Sequence, residues 1–489
     1  MATCISFFYL RFLLQVPFLF LCLLCSVKDS YAEQDKEAEG QLSHSHIVKV
    51  SSLLPPTVCN HTSIKGQNKE SLEVLSKYGP CSTLNQGKII TPNYLEILRK
   101  DRARAIYIQS RIFKPKNLSS DDDHLKEAPA ITVSTKPILL YEATFEFYIT
   151  VSLGTPRQDV TLLLDTGSDL TWTQCKPCLK CFEQNTPLFD PSKSSTYSVV
   201  PCESSACLSD FKGRCISNKC IYRIEYVSGN SSGNVLTDRL TITHGSGTFV
   251  KYPYIFGCGT NNSADEIDGV TGLMGLNRNP SSFISQTSQE YFSYCFPSSY
   301  GSTGYITFGK TDDYIKNKFI KFTPLSTTSK QSPFYDIIVT GITVAGKKLP
   351  VASSEYSKSG AFIDSGSTFT TLPTSIYVAL RSAFRKQMSK YKMIKPVKSE
   401  DIDTCYDFSS YDTVVIPKIS IFFKGEVELD LDVKGIMIVF KNDLSQVCLA
   451  FQPNTDDPYI ILGNNQLRAI EVHHDVAGGR LGFGPGGCS

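Results

Sequence analysis

One short pattern occurs twice in this chain and limits what it can fold into. Leu162-Leu163-Leu164-Asp165-Thr166-Gly167-Ser168 and Ala361-Phe362-Ile363-Asp364-Ser365-Gly366-Ser367 each run from apolar residues into Asp, a hydroxyl residue, Gly and Ser. A three-residue apolar run at strand spacing is buried in a sheet, so each Asp is delivered at a strand end rather than on a loose loop. The Gly that follows permits a tight turn and close approach of main chain. Taken singly, either Asp could be a turn-capping residue, the common role of Asp before a small side chain.

The surroundings of the two patterns repeat as well. Tyr335-Asp336-Ile337-Ile338-Val339-Thr340-Gly341 answers the strand that starts at Tyr148, and Ile461-Leu462-Gly463 answers Leu273-Met274-Gly275. From about residue 140 the pattern is short strands punctuated by Gly, Asn and Ser, among them Phe147 to Leu153, Val160 to Asp165, Ile255 to Gly257 and Tyr305 to Gly309. Helical stretches are brief: Ser281 to Gln289, and Ser375 to Met388 after Pro373. The expectation is an all-β fold of two similar lobes with minor helices, each lobe giving one Asp to a cleft at their interface.

The ends of the chain read differently. Phe12 to Val27 is uncharged, follows Arg11 and leads to Ser30-Tyr31-Ala32, the form of an export signal cleaved after Ala32. Pro17 and the shortness of the run argue against a membrane span, and Pro485-Gly486-Gly487-Cys488-Ser489 lacks the apolar tail of a lipid-anchor signal. Residues 33–135 read as a pro-segment, polar apart from one amphipathic helix. Thr91 can cap that helix, Pro92 suits its first position, and Tyr94, Leu98, Ala105, Ile108 and Ile112 share a face. Around that face stand Arg99, Lys100, Arg102, Arg104 and Arg111. They form either a solvated basic side or a set of cations laid over an acidic cleft. Asp121-Asp122-Asp123 marks a linker where processing can occur. The formal net charge of +2 gives no whole-chain reason to invoke nucleic acid or a membrane, although the stretch from Arg99 to Arg111 leaves nucleic-acid binding as a third reading. The lobes are expected at 136–325 and 326–489.

Two carboxylates within hydrogen-bonding distance share one proton over a wide pH range. The charged member can take a proton from a water lying between them while the protonated one polarises a peptide carbonyl. No covalent intermediate and no cofactor is needed, and no metal site is expected. His473-His474 invites a metal or acid–base reading, but neighbours on a strand face opposite ways and do not converge.

From about residue 140 to the end the chain resembles the pepsin-like aspartic proteases, and among them the plant nepenthesin-type group. The resemblance is carried by both Asp patterns, both apolar-apolar-Gly motifs and the closing Arg480-Leu481-Gly482-Phe483-Gly484-Pro485. It also rests on Tyr226, within Cys220-Ile221-Tyr222-Arg223-Ile224-Glu225-Tyr226, and on Trp172, the only Trp in the chain. Upstream, Tyr78-Gly79-Pro80-Cys81-Ser82 and Ile97-Leu98-Arg99-Lys100-Asp101 resemble pro-segments of one branch. It implies a secreted zymogen of a monomeric aspartic endopeptidase with an acidic optimum, acting on polypeptide substrates and blocked by pepstatin-type inhibitors, in the extracellular space or the vacuole. Asp165 and Asp364 would be catalytic, with Thr166, Gly167, Ser168, Ser365, Gly366 and Ser367 supporting their loops. Tyr226 would be the flap residue over the substrate, supported by Trp172.

Of 17 cysteines, Cys4, Cys22, Cys25, Cys59 and Cys81 precede the expected mature region, leaving an even number in an exported chain. Cys175, Cys178, Cys181, Cys202, Cys207, Cys215, Cys220 and Cys258 resemble the cysteine-rich insertion of nepenthesin-type enzymes. The resemblance implies the pairs Cys175–Cys178, Cys181–Cys258, Cys202–Cys220, Cys207–Cys215, Cys295–Cys488 and Cys405–Cys448. Spacing alone does not choose among pairings, and Cys175-x-x-Cys178-x-x-Cys181 also has the form of a thiolate metal site. Tyr226 is followed by Val227-Ser228-Gly229-Asn230, where the family has Gly directly after the tyrosine. Val there excludes positive φ. Asn60, Asn117, Asn230 and Asn261 stand in glycosylation sequons, Asn230 at the flap. The altered flap keeps open a second reading, a binding or inhibitor protein that has kept the fold and lost catalysis.

Overall fold

The computed structural model describes residues 44–60, 71–112 without 86–87 and 89, and 146–488 without 227–228, 245–246, 265–268, 311–318, 327–331, 396–401, 441–442, 455–458 and 487. The export signal, Asn117 and the Asp121–Asp123 linker lie outside these residues. The apolar run before Asp165 is buried because its strand, Gln158–Asp165, lies inside a sheet, antiparallel to Phe147–Leu153 and parallel to Gly272–Gly275. In the second half, Ala361–Asp364 lies parallel to Ile460–Gly463. Asp165 stands opposite Gly275 and Asp364 opposite Gly463. Both glycines are required by close approach: a Cβ at Gly275 would sit 2.5 Å from the Asp169 carbonyl carbon, and one at Gly463 2.6 Å from that of Phe369. This crowding is the physical content of the repeated apolar-apolar-Gly motif.

The fold is all-β with two similar lobes, and one large sheet carries the chain from lobe to lobe. In it, Ile470–Asp475 from the end of the chain pairs with Tyr291–Cys295 from the first half, which ties the halves together. Strand β1 (Ser45–Lys49) pairs with Thr413–Pro417 in a separate two-stranded sheet. Strand β2 (Ser71–Ser76) lies between Gly304–Phe308 and Phe147–Leu153 in the large sheet. The helix expected upstream, α1, spans Tyr94–Ile112. Its start differs from the sequence reading. The Ile97 amide donates to the Asn93 carbonyl at 3.0 Å, so Asn93 takes the cap position and Thr91 and Pro92 stay outside. The second-half helix spans Thr374–Gln387, and the first-half one shrinks to Phe283–Thr287, capped by Ser282 and ended by Ser288 in the left-handed region.

Among the described residues seven disulfides are formed: two match the resemblance-based pairs, four replace the other four pairs, and Cys59–Cys81 adds one outside that set. Cys175 joins Cys258, because the Trp172–Gln174 strand runs beside the strand containing Cys258 and the Cys175 amide donates to Gly259 O. Cys178 and Cys181, in the loop that follows, join each other. Cys215 and Cys220 stand opposite across a hairpin, and each reaches a separate partner, Cys215 to Cys202 and Cys220 to Cys207. The remaining bridges are Cys295–Cys488, Cys405–Cys448 and Cys59–Cys81. His473 and His474 are both buried: His473 meets the Tyr291 hydroxyl at 2.5 Å, and His474 stacks on Phe292 at 4.3 Å. Burial, with His473 adjoining, holds the His474 pKa well below its ordinary value.

A second buried pair fixes the seam. Arg468 Nη2 donates to Glu146 Oε1, and its guanidinium covers the Tyr300 ring at 4.6 Å. Burial works against the Arg468 charge, but Glu146 and the neighbouring tyrosines more than offset it. Arg468→Met, which leaves the buried Glu146 carboxylate without its cation, is expected to cost about 3–5 kcal/mol in thermal or urea unfolding. Adding Glu146→Leu is expected to recover most of that loss.

Candidate active site

Each Asp side chain is held by the turn that follows it. The Gly167 amide donates to Asp165 Oδ1 at 2.8 Å and the Ser168 hydroxyl to Asp165 Oδ2. In the second copy the Gly366 amide donates to Asp364 Oδ1 at 3.2 Å and the Ser367 hydroxyl to Asp364 Oδ2 at 2.6 Å. The two turns are tied across the lobes. The Thr166 amide donates to Ser365 Oγ at 2.9 Å and the Ser365 amide to Thr166 Oγ1 at 3.0 Å. Each hydroxyl then donates onward to the opposite strand, Ser365 Oγ to Leu164 O and Thr166 Oγ1 to Ile363 O. Both Asp side chains are fully buried.

Between them lies Arg104 of α1, also without exposed surface. Its Nε donates to Asp364 Oδ2 at 2.5 Å, and its Nη2 donates to Asp364 Oδ1 and to Asp165 Oδ1, each at 2.6 Å. The planar guanidinium thus forks onto Asp364 and bridges to Asp165. The turn glycines make room: a Cβ at either Gly167 or Gly366 would lie 2.4 Å from Arg104 Nη2. One helical turn earlier, the buried Asp101 carboxylate accepts from the Thr368 amide at 3.0 Å and the Phe369 amide at 2.6 Å. Ile97 and Leu98 pack with Phe369, Ile438 and Phe440 on one side, and Ala105 and Ile108 with Phe334, Phe362 and Ile461 on the other. Helix α1 therefore fills the cleft that the two Asp residues floor.

Of the four cations on this helix whose side chains are described, Arg104 is the one that bridges the two carboxylates. Arg99 and Lys100 pair with Glu96 of the same helix, Arg102 is exposed, and the Arg111 side chain lies outside the described residues. Arg104 and Asp101 share the buried stripe at three- and four-residue spacing, a register the apolar pattern alone did not reveal. Burial raises the Asp165 pKa from its ordinary value; the Arg104 cation opposes this, and the Asp364 charge adds to it.

The family follows from comparison with known proteins. A family model described as xylanase inhibitor N-terminal matches residues 147–310, and its C-terminal counterpart matches 334–485. An Arabidopsis thaliana protein named aspartyl protease family protein At5g10770 is 42% identical over 482 residues, spanning 96% of this chain and 97% of its own. Aspartic proteinase nepenthesin-2 of Nepenthes gracilis is 34% identical, covering 71% of this chain and 79% of its own. The chain belongs to the pepsin-like aspartic proteases. Among solved structures, conglutin gamma, a basic 7S globulin from lupine seeds, shares the fold at 22% identity and a TM-score of 0.55, covering 69% of this chain and 91% of its own.

Within this family fold, Lys219–Tyr226 pairs antiparallel with the strand from Gly229, Tyr226 standing opposite Gly229, and Val227 and Ser228 lie outside the described residues. Trp172 is fully buried in a cluster that also holds Tyr222 and Leu163, with Phe182 edge-on at 6.4 Å. Asn60 and Asn261 are exposed and Asn230 half-buried. No group of three or more His, Cys, Asp or Glu able to hold a metal occurs among the described residues. Asp101→Asn replaces one charged acceptor of the two turn amides, so α1 is expected to dock about 1.5–3 kcal/mol more weakly. Limited proteolysis of the full chain carrying this substitution at neutral pH should cut within residues 94–112 at least tenfold faster than in the parent.

Proposed function

We propose that this protein is a secreted aspartic endopeptidase made as a latent precursor, in which Arg104 occupies the place of the attacking water. The observation that supports this reading most is the geometry of the two Asp side chains. They are buried together, held by matching turns and close enough for one guanidinium to touch both. With the helix withdrawn, an ionised Asp takes a proton from water lying between the pair. Its protonated partner donates to the carbonyl oxygen of an extended polypeptide, and the water attacks the carbonyl carbon. Phe334, Phe362 and Ile461 on one side and Phe369, Ile438 and Phe440 on the other, freed of α1, would receive apolar side chains about the cut.

The latch has a definite sign with pH. Arg104 is held by two negative charges, and the Asp165 carboxyl has its pKa raised, so it takes up a proton early as pH falls. Protonation removes one of the two charges that hold the guanidinium, so acid releases the helix, and the same single proton is the one catalysis requires. In this reading residues 1–32 are the export signal, 33–135 the pro-segment, and 136–325 and 326–489 the two lobes. Tyr226 closes over the substrate, and the destination is the extracellular space or the vacuole.

The test is cleavage of an unfolded protein from pH 3 to 7, with and without pepstatin. Acid-dependent cleavage that pepstatin blocks and Asp165→Asn abolishes is the expected result; a correctly bridged chain inert at every pH would overturn it. Arg104→Gln, which removes a buried charge pair worth about 3–5 kcal/mol when broken from one side, is expected to give activity near pH 6, where the parent stays latent. Two observations support a second reading, a polypeptide-binding inhibitor: the matched family models are described as xylanase inhibitor domains, and Val227 stands in the flap. Inert but folded protein that binds a partner in the cleft would be its signature.

A further inference from the structure

The upstream segment is attached to the rest of the molecule in two physically different ways. Helix α1 is held at its centre by charge, through Arg104 and Asp101. Residues 44–60 and 71–85 are held by sheet pairing and apolar burial. β1 pairs along its whole length with Thr413–Pro417, from Ser45 opposite Pro417 to Lys49 opposite Thr413. β2 pairs on both sides: Ser71 to Val74 with Thr307 to Gly304, and Leu75 and Ser76 with Tyr148 and Phe147. It is the strand through which the lobe-bridging part of the large sheet continues into the part that carries Asp165. Val48, Val50, Leu72 and Val74 lie in the main core, shared with residues of both lobes.

The described residues that flank these strands are seated just as closely. The Asn60 amide donates to Gly301 O at 2.7 Å, and the Thr83 amide to the Tyr148 hydroxyl at 2.9 Å. Gly79, at φ +78°, lies so close to Tyr300 that a Cβ would come within 2.4 Å of the tyrosine Cβ. Cys59 and Cys81 are bridged to each other, so the disulfide folds this stretch on itself without fastening it to the rest of the chain. Backbone hydrogen bonds and buried aliphatic side chains carry most of these contacts, and neither changes protonation between pH 7 and pH 3. The titratable groups here are His46 of β1, which burial holds below its ordinary pKa beside Asp432, Lys418 and Asp430, His44 against Gly346, Glu73 of β2, and Glu146, which accepts from Ser76 Oγ at 3.3 Å and is paired with Arg468.

Resting on the latent-precursor reading above, we propose that the segment ending at Asn85 outlives activation as a second, non-covalently bound chain of the mature enzyme. Cleavage on either side of α1 removes the helix and opens the cleft, while β1 and β2 remain as strands of the two sheets. The kind of partner the seam fits is thus this chain's own amino-terminal segment, and the working form is a two-chain molecule.

The experiment uses the full precursor with one specific-protease recognition sequence inserted between Gln86 and Gly87 and another within Asp121–Asp123. After complete cleavage at pH 7, the products are taken to pH 4 without denaturant and separated by size, and each peak is identified by mass. The expected result is a 1:1 complex of the catalytic chain with the fragment ending at Asn85, and release of the fragment containing α1. Loss of both fragments at pH 4, with the catalytic chain still folded by circular dichroism, overturns the proposal. So does their loss with unfolding of the catalytic chain, since a bound strand was then not retained. Pepstatin-sensitive cleavage of an unfolded protein is measured on the same fractions. Activity without the bound fragment defeats this inference and leaves the protease reading standing. A stable complex without activity does the reverse.

Discussion

Two carboxylates buried side by side are an unfavourable arrangement that the rest of this structure is built to tolerate. Each loses its hydration, and each raises the cost of ionising the other. Compensation comes from the amides and hydroxyls of the two matching turns and from one guanidinium set between them. The demand spreads outward. The turns need glycine because Arg104 approaches within the space a Cβ would take, and the strands beneath need glycine because the turns pack on them. The bonds between Thr166 and Ser365 then make the position of each Asp depend on the other lobe.

The same demand explains the placement of α1. An arginine cannot be buried unless its charge is met, and the seam between the lobes is where two buried carboxylates converge on one point. Once Arg104 is fixed, helical geometry brings Asp101 to the turn after Asp364 and sets apolar side chains before and after Arg104 against two clusters of the second lobe. An amphipathic helix with a basic flank thus becomes a stopper with a defined register. The strands that precede it are joined to the molecule through main-chain pairing, which is indifferent to charge. One continuous segment therefore combines a contact made by buried charge with contacts made by main-chain pairing.

The cysteine-rich edge shows how local crowding defeats inference from spacing. Cys175, Cys178 and Cys181 lie at equal intervals, yet the first leaves on a strand beside Cys258 while the other two close a loop. Cys215 and Cys220 face each other across a hairpin, and each is drawn to a different neighbour. Which sulfur meets which is a matter of strand register, and register is not written in the interval between cysteines.

What the amino-acid sequence determined by itself was the part that depends on local chemistry repeated along the chain. The two Asp turns, the apolar runs that bury them, the Gly at the close of Leu273-Met274-Gly275 and of Ile461-Leu462-Gly463, and the all-β, two-lobed plan are all of this kind. Each follows from side-chain size, alternation and turn preference within a few residues. Tertiary structure alone decided the rest. It set Arg104 of the basic helix between the two carboxylates, turned Asp101 toward the Thr368 and Phe369 amides, buried His473 and His474, and threaded β2 between strands far away in the chain. Those choices depend on where distant buried charges and open sheet edges meet in space, and no short window of sequence contains that information.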